Sequence, residues 1–299
     1  MRGQLRPRRS GGEEMRRPAT PSPRRPLRAA AVPPADAAAT ALGALLAALR
    51  GVPPPRRAAA GLSLRGLSYR PAGAPAALVD GVDLDLAPGA AGVLFGPSGA
   101  GKTTLLQLVA GLLPPTSGTV SVYRGGDGAR SGGGGGSGAP ARPPSLGLVF
   151  QFPERHFLGA TLADELTFGW PADPGARAVA ALDAQAALSR LGLDSIPHDT
   201  PLRSLSDGYK RRVALAAALA RGADVLLLDE PLAGLDWRAR AGMAAALADA
   251  KAAATLLIVS HDLAELAPLV DTAWEVRRGG RVAKAEWPRA AARPAVVGA

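Results

Sequence analysis

A glycine-rich stretch at residues 96–104, GPSGAGKTT, has the residue types and spacing of a phosphate-binding loop. It fits the pattern Gly-x4-Gly-Lys-[Ser/Thr], and it lies between an apolar run at residues 92–95 and a helical apolar pattern that begins at Leu105. Glycines let the backbone approach a phosphate closely, and the amides at a helix N-terminus attract an anion. We therefore predict that this loop binds a nucleotide. The predicted contacts are Gly96, Pro97, Ser98, Gly99, Ala100, Gly101, Lys102, Thr103 and Thr104.

Charged and hydroxyl side chains in two segments have the chemistry that phosphate transfer needs. Lys102 is placed to reach the β- and γ-phosphates, and the Thr103 hydroxyl is placed to ligate Mg²⁺. Asp229 and Glu230 directly follow an apolar strand at residues 225–228, and α/β sheets bind ligands at that end of their strands. Asp229 suits Mg²⁺, usually through water. Glu230 suits a general base for the attacking water.

Two ring side chains are further candidates for nucleotide contacts. Tyr69 lies 27 residues before Gly96, where an aromatic ring could stack on adenine. An ordinary tyrosine of an edge strand fits that spacing equally well. His261 follows an apolar strand at residues 255–260 and could contact the γ-phosphate, although a lone histidine is usually structural.

The rest of the pattern predicts the elements that would position these side chains. Alternating apolar residues at 62–69 and 82–86 predict antiparallel strands ahead of the loop. Further strands are predicted at residues 92–95, 118–123, 146–150, 225–228 and 255–260. Helices are predicted at residues 161–168 and 176–191, and a long helix opens after Leu205 with Ser206 or Asp207 as its cap.

The formal net charge of +10 is concentrated at the N-terminus. Residues 1–60 hold 12 arginines and 3 acidic residues, whereas the remainder has 23 basic and 22 acidic residues. The globular part is therefore almost neutral, and nucleic acid is not an expected partner. The chain has no cysteine, which excludes a disulfide scaffold, a thiolate metal site and a cysteine nucleophile. No apolar run is long enough to cross a membrane.

Composition divides the chain into a leader, a folded domain and a tail. Residues 1–58 are rich in Arg, Ala and Pro and predict a basic disordered leader, which resembles an organelle transit peptide. A basic tail that stays on the protein is the alternative. Residues 60–285 predict one folded domain, with a glycine-rich insertion at residues 125–138 that carries no chemistry. Residues 286–299 predict a C-terminal tail.

Taken in order, the motifs resemble those of the ATP-binding cassette (ABC) family across residues 60–285. The matching positions are Tyr69, residues 96–103, Gln151, LSDGY at residues 205–209, VLLLDEP at residues 225–231, the Gly234-Leu235-Asp236 turn and His261. The resemblance implies an α/β fold, a P-loop NTPase of the ABC ATPase type. In this fold a parallel-sheet core carries an antiparallel β subdomain and a helical subdomain.

The resemblance also implies ATP hydrolysis with Mg²⁺ by two cassettes, the second being either a copy of this chain or a different ABC ATPase subunit. Each ATP would lie between the phosphate loop of one subunit and the signature loop of the other. Ser206, Asp207 and Gly208 would therefore act in trans. Gln151 would contact Mg²⁺ and the attacking water, and Glu230 and His261 would complete the catalytic set.

The segment VFQFPERHF at residues 149–157 is most similar to the ATPase subunits of energy-coupling-factor and cobalt-type transporters. In those proteins this loop docks a separate membrane-spanning subunit. The resemblance therefore implies transport, for a metal ion or a vitamin-like substrate. With the basic leader it implies a chloroplast protein, the alternatives being the mitochondrion and the cytoplasm. A soluble ABC ATPase that drives assembly of another complex, of the iron–sulfur-assembly type, is the alternative function.

The signature sequence departs from the usual LSGGQ, because Asp207 replaces a glycine and Tyr209 replaces a glutamine. A carboxylate near a phosphate is repulsive, by about 1–4 kcal/mol depending on screening. Lys210, Arg211 and Arg212 follow on the next turn and could offset part of this repulsion. Alternatively, Asp207 could turn away and cap its helix. Weakened closure of the cassette dimer and a purely structural role are both consistent with the sequence.

Overall fold

The computed structural model describes residues 35–53, 59–124 and 144–287. The glycine-rich insertion, most of the predicted leader and residues 288–299 of the tail lie outside these ranges. The helices of the described part are α1 Ala35–Ala48, α2 Lys102–Val109, α3 Leu162–Thr167, α4 Pro174–Arg190, α5 Asp207–Ala220, α6 Trp237–Lys251 and α7 Leu263–Leu266. Its strands are β1 Ala60–Tyr69, β2 Val79–Leu86, β3 Ala91–Phe95, β4 Ser117–Arg124, β5 Leu146–Val149, β6 Val225–Asp229, β7 Thr255–Val259, β8 Thr272–Val276 and β9 Val282–Ala285.

The central sheet has the strand order β5-β6-β7-β3-β8-β9. Its neighbours pair in parallel except for β8 and β9, which are antiparallel. Every residue of β6 and of β7 is buried, as expected for parallel strands that are covered on both faces. The predicted parallel core is confirmed, and the carboxyl ends of β3, β6 and β7 meet at one edge.

A second, antiparallel sheet has the order β2-β1-β4. Its central strand β1 pairs with β2 through positions such as Leu62↔Leu86 and with β4 through Leu62↔Val122. Strand β2 alternates buried and exposed side chains along most of its length, which is typical of a sheet with one face against a core. The strand predicted at residues 118–123 therefore extends this antiparallel sheet.

Local capping explains where the helices of the helical part begin. Thr161 and Asp164 form a reciprocal capping box at the start of α3. Asp173 accepts a hydrogen bond from the Ala176 amide at the start of α4. Ser206 caps α5 by accepting from the Tyr209 amide at 3.4 Å. Of the two caps considered from the sequence, Ser206 is therefore the correct one.

Helix α1 differs from the sequence prediction, which placed residues 1–58 in a disordered leader. Leu42, only 1% exposed, and Leu46 lie in the same apolar core as the helical part, and α1 packs against α3 and α4. These leucines are four residues apart and share one face of the helix. The alanine-rich sequence has high helix propensity, but only tertiary packing shows which face is buried. The disordered assignment is therefore wrong for Ala35–Ala48.

No helix in the described ranges is long and apolar enough to span a bilayer.

We predict that Leu42→Ala lowers the free energy of unfolding by about 2–5 kcal/mol, because it removes a fully buried leucine and leaves a cavity. The measurement is denaturant unfolding of the purified chain. Leu112→Ala, at an exposed leucine, is the matched control and should change stability by less than about 0.5 kcal/mol. Equal stability of Leu42→Ala and the parent would show that α1 does not pack on the core.

Candidate functional site

The predicted phosphate loop connects the end of β3 to the start of α2. Gly101 is the N-cap of α2 in the left-handed region, with φ 97°. A Cβ at this position would lie 2.5 Å from the Leu78 carbonyl oxygen, and a Cβ on Gly96 would collide with the Val276 carbonyl. Both positions therefore require glycine. The neighbouring backbone holds the two ends of the loop, while Pro97, Ser98 and Gly99 at its tip are exposed.

The ammonium group of Lys102 lies over this loop and beside the acidic residues. Its Nζ donates hydrogen bonds to the carbonyl oxygens of Gly96 at 2.8 Å and Pro97 at 3.1 Å. Burial lowers the pKa of Lys102, while the carboxylates of Glu230 and Asp229 act to raise it. The lysine is therefore a poorly solvated cation at the place where the sequence predicts phosphates, and anions bind strongly to such a group.

Thr103 and Asp229 bring two oxygen ligands together. The Thr103 hydroxyl donates to Asp229 Oδ1 at 3.3 Å. Burial raises the pKa of Asp229, and the Thr103 hydrogen bond and the Lys102 charge oppose that rise. Within the described residues no group of three or more His, Cys, Asp or Glu could hold a metal ion. The pair suits a hard cation such as Mg²⁺ that takes its remaining oxygen ligands from phosphates and water.

Glu230 is held in an unusual backbone conformation next to this pair. Its φ of 47° is the only positive value among non-glycine residues of the described chain, and its amide donates to the Val259 carbonyl at 2.9 Å. Such a conformation persists only where the surroundings enforce it, and it is common at active sites. Burial raises the pKa of Glu230 despite the opposing interactions with His261 and Lys102, which makes the carboxylate a stronger base.

His261 contacts both Glu230 and Lys102. Its amide donates to Glu230 Oε2 at 3.2 Å. Its Nε2 lies 3.3 Å from Glu230 Oε1 and 3.3 Å from Lys102 Nζ. A protonated Nε2 donates to the carboxylate, whereas an unprotonated Nε2 accepts from the ammonium group. The structure thus brings Lys102, Thr103, Asp229, Glu230 and His261 into one cluster. The sequence analysis proposed a separate role for each of these residues in binding phosphate or Mg²⁺ or in hydrolysis.

Tyr69 and Gln151 are connected to the site through their backbone carbonyls, and the Tyr69 ring packs against the apolar core. The Tyr69 carbonyl accepts from the Leu78 amide at 2.8 Å, and the Leu78 carbonyl is the group that faces Gly101. The end of β1 therefore adjoins the phosphate loop. Gln151 follows β5, and its backbone carbonyl accepts a hydrogen bond from Arg211 at 3.4 Å. Within the described chain, the Gln151 side-chain amide makes no hydrogen bond.

The signature residues stand apart from this cluster. No hydrogen bond in the described part of the chain joins Ser206, Asp207 or Gly208 to the phosphate loop. Asp207 is 72% exposed in its side chain and pairs with Lys210 at 3.2 Å. Because Ser206 is the cap, the alternative role of Asp207 as the cap is wrong, and its exposed carboxylate pairs with Lys210 on the solvent side.

Sequence reasoning missed the part played by Arg211, which it treated only as one of three charges near Asp207. Its side chain is buried and donates to carbonyl oxygens of three separate positions. A buried basic residue within a run of three basic residues has no periodic signal of its own, since only the packing of α5 decides which of the three points inward.

The sheet order and the glycine loop before α2 define a P-loop nucleotide-binding protein. A family model described as ABC transporter matches residues 79–233. The chain is 46% identical over 228 residues to ABC transporter I family member 11, chloroplastic, of Arabidopsis thaliana, which covers 73% of this chain and 79% of that protein. The chain belongs to the ABC transporter family, as an ATP-binding and ATP-hydrolysing subunit. The family and fold that the motifs predicted are confirmed.

Two further similarities extend the comparison. The chain is 36% identical over 236 residues to the energy-coupling factor transporter ATP-binding protein EcfA2 of Streptococcus sanguinis, covering 76% of this chain and 82% of that protein. Among solved structures it aligns with cbiO1 from Clostridium perfringens, part of the ABC transporter complex cbiONQ. That alignment has a TM-score of 0.59 at 26% identity and covers 74% of this chain and 86% of the other.

We predict that Glu230→Gln binds ATP but hydrolyses it about 10²–10⁴-fold more slowly, because the amide keeps the shape of the side chain and loses the base. ATP binding by titration and steady-state phosphate release are the two measurements. Lys102→Ala is the contrasting variant and should lose most of the ATP affinity, because it removes a cation from the phosphates. Near-normal turnover of Glu230→Gln would assign the base to another residue.

Proposed function

We propose that this chain powers a separate membrane-spanning subunit by binding and hydrolysing ATP in the cluster around Lys102 and Glu230. Lys102 neutralises charge on the β- and γ-phosphates, and the amides at the start of α2 bind the same phosphate oxygens. Glu230 accepts a proton from the attacking water. His261 fixes the Glu230 carboxylate through two contacts and would contact the γ-phosphate.

Thr103 and Asp229 would hold Mg²⁺, with Gln151 as a further oxygen ligand, and the ion would offset negative charge on the phosphates. The observation that supports this assignment is the hydrogen bond of 3.3 Å from the Thr103 hydroxyl to the buried Asp229 carboxylate. Tyr69, at the end of β1 next to the loop, is placed to stack on the adenine ring.

The observation that carries the transport proposal is the exposure of three apolar side chains in the segments that follow Gln151. We call Phe152, Leu158 and Phe168 the docking patch, and all three side chains are exposed. Exposed apolar residues that lie together are typical of protein interaction sites, and we propose that these three form one such surface. Phe157, which ends the segment that the resemblance assigned to docking, packs against the core. The proposed patch therefore keeps Phe152 and adds Leu158 and Phe168.

A buried carboxylate fixes the loop that carries this patch. Glu165 on α3 accepts hydrogen bonds from the amides of Leu158 at 2.7 Å and Gly159 at 3.0 Å. Its other oxygen pairs with Arg221 at 2.8 Å. A rigid loop loses little conformational entropy on binding, which favours its use as a docking surface.

The relatives support transport as the finer assignment. The similar proteins include an energy-coupling factor transporter subunit and an Fe(3+) ions import ATP-binding protein of Rhodococcus jostii. The iron-import relative supports a metal ion as the proposed substrate class, and the vitamin-like substrate implied by the resemblance at residues 149–157 is the alternative. The chloroplastic relative and the basic leader together favour the chloroplast. Because α1 belongs to the folded core, any cleavage of the leader falls before Ala35.

We further propose that the active unit contains a second cassette, identical or different. The signature residues lie away from the phosphate loop of their own chain, as a role in trans requires. Two exposed aromatic residues flank them, Tyr209 at the start of α5 and Trp237, 74% exposed, at the start of α6. The two helix starts are adjacent, because a Cβ on Gly208 would lie 3.5 Å from the Ala239 Cβ. Exposed Tyr and Trp are enriched in protein interfaces.

We predict that the double variant Phe152→Ser/Leu158→Ser no longer retains its membrane subunit, while its ATP affinity stays unchanged. The tagged chain is captured from detergent-solubilised membranes, and multispanning proteins bound to it are identified by mass spectrometry. The physical reason is the loss of apolar contact area in the docking patch, because truncation of anchor residues at an interface costs about 2 kcal/mol or more.

The control for this experiment is Leu112→Ser/Val179→Ser, which removes two exposed apolar residues outside the patch. It should retain the membrane subunit. Retention by the patch variant as well would place the interface elsewhere. Capture of soluble proteins alone, by parent and control, would favour the assembly ATPase over the transporter.

The exposed carboxylate of Asp207 leads to a second prediction. Asp207→Gly should strengthen ATP-dependent dimerisation by roughly fivefold, because about 1 kcal/mol of repulsion from the partner's phosphates is removed. Lys210 pairs with Asp207 and offsets the remaining part of the repulsion between Asp207 and the phosphates. Sedimentation of proteins that also carry Glu230→Gln, at low and moderate salt, measures the effect, which should shrink as salt rises.

Asp207→Asn separates charge from shape in the same assay. Repulsion by charge predicts that the asparagine variant dimerises as readily as the glycine variant. Asp199→Asn, at an exposed aspartate outside the signature, is the control for a change in net charge. Unchanged dimerisation of both Asp207 variants would contradict the hypothesis that Asp207 weakens closure of the cassette dimer.

A further inference from the structure

Arg211 is a buried cation in the first turns of α5, and its hydrogen bonds all go to backbone carbonyls. The residue as a whole is only 6% exposed. Nη1 donates to the Pro231 carbonyl at 3.2 Å. Nη2 donates to the carbonyls of Gln151, at 3.4 Å, and Ala233. None of its hydrogen bonds within the described residues goes to a carboxylate.

The three carbonyls belong to two segments with different tasks in the proposed mechanism. Gln151 leads directly into the docking patch at Phe152. Pro231 and Ala233 belong to the turn that follows Glu230 and continues to Asp236 at the start of α6. Arg211 itself lies on the helix whose first residues form the signature. One guanidinium group therefore joins the signature helix, the docking loop and the segment after the candidate base.

The guanidinium is suited to this junction in a way that few side chains are. It is planar and presents donors in a fixed fork, so that one group can serve acceptors on two segments at once. Burial lowers the pKa of Arg211, while the charges of Asp207 and Glu154 act to raise that pKa. Arginine stays charged at every physiological pH, so these carbonyls always face a cation.

We propose that Arg211 is a positioning residue that fixes the signature helix relative to the docking loop and to the turn after Glu230. Through these contacts it sets the placement of Glu230 and Gln151 for hydrolysis and leaves nucleotide binding to the phosphate loop. The proposal goes beyond the docking assignment and does not depend on it, because its direct consequence is a change in the hydrolysis rate of the chain itself.

The contacts of Arg211 predict different effects on ATP binding and on ATP hydrolysis, whereas a purely structural role would affect both. Within the described residues, Arg211 makes no hydrogen bond to Lys102, Thr103 or the loop glycines, so ATP affinity should be insensitive to its replacement. The Glu230 backbone, by contrast, is followed by Pro231, whose carbonyl Arg211 holds. Loss of the fork should therefore lower kcat and leave the dissociation constant for ATP unchanged.

The test compares Arg211→Lys with the parent in the full-length chain. Lysine keeps the charge and the aliphatic stem, but its single ammonium group cannot reproduce the fork on both segments. We expect kcat to fall by about tenfold or more, with the ATP dissociation constant within about twofold of the parent. Arg190→Lys is the matched control, because the one side-chain hydrogen bond of Arg190 to the described part of the chain goes to the Asp249 carbonyl at 3.4 Å, far along the chain from the site.

Hydrogen exchange distinguishes a local loss of positioning from a general loss of stability. In Arg211→Lys, amides at residues 151–155 and 231–235 should exchange faster together, while amides of β6 and β7 keep the protection of the parent. Arg211→Met removes every donor and serves as a second variant, with a stronger effect on both segments. Its folded fraction is measured by thermal unfolding before any rate is compared.

Two results would overturn the proposal. A kcat of Arg211→Lys equal to that of the parent and of Arg190→Lys would show that the fork has no part in hydrolysis. Faster exchange spread evenly over the whole chain, with kcat reduced only in proportion to the unfolded fraction, would reduce Arg211 to a stability residue. Failure of the membrane subunit to bind any variant would bear on the docking proposal alone.

Discussion

The register of three neighbouring parallel strands is the constraint on which the site depends. Leu94 of β3 pairs with Val259 of β7, and Val259 pairs with Asp229 of β6. Two hydrogen bonds continue this row, from the Ser260 amide to the Leu94 carbonyl at 3.2 Å and from the Glu230 amide to the Val259 carbonyl at 2.9 Å. The phosphate loop, the acidic pair and His261 therefore leave the sheet at the same level. A slip by one residue in any of these strands would turn its buried side chains to the opposite face and separate the catalytic groups.

Burial disfavours the charged form of Lys102, Asp229 and Glu230 at this edge of the sheet. It lowers the pKa of Lys102 and raises the pKa values of Asp229 and Glu230, while each group's neighbours of opposite charge counteract the shift. The site thus holds one poorly solvated cation next to two poorly solvated carboxylates. In the proposed complex, phosphates satisfy Lys102 and Mg²⁺ satisfies Asp229, which leaves Glu230 with a basicity that suits proton removal from water. Burying these charged groups together is unfavourable. The folded sheet holds them in place before the substrate binds, as preorganised catalytic sites require.

The parts of this architecture that were predictable from the sequence are those in which a local backbone requirement selects the residue type. The loop at residues 96–104 needs glycine where a Cβ would collide, and continuous apolar runs mark the strands that are buried on both faces. Helix α1 and the role of Arg211 were not predictable in this way. Alanine-rich sequence does not reveal which two leucines meet a core, and a run of basic residues does not reveal which one turns inward. Both depend on how helices pack against each other, and that information is spread over distant parts of the chain.

Helix α5 connects the signature to the docking loop through an arginine at each end. Near its start, Arg211 holds the Gln151 carbonyl at the beginning of the docking loop. At its C-cap, Arg221 pairs with Glu165, whose carboxylate holds the amides of Leu158 and Gly159 at the far end of that loop. The segment that carries Phe152 is therefore fixed at both ends to one helix. Because a helix transmits displacement along its axis with little internal deformation, a movement of the signature toward a second cassette would move both attachment points together. These polar contacts give a specific mechanical route within one chain for the proposed coupling between closure of the cassette dimer on ATP and a membrane subunit. Each contact can be removed separately by substitution.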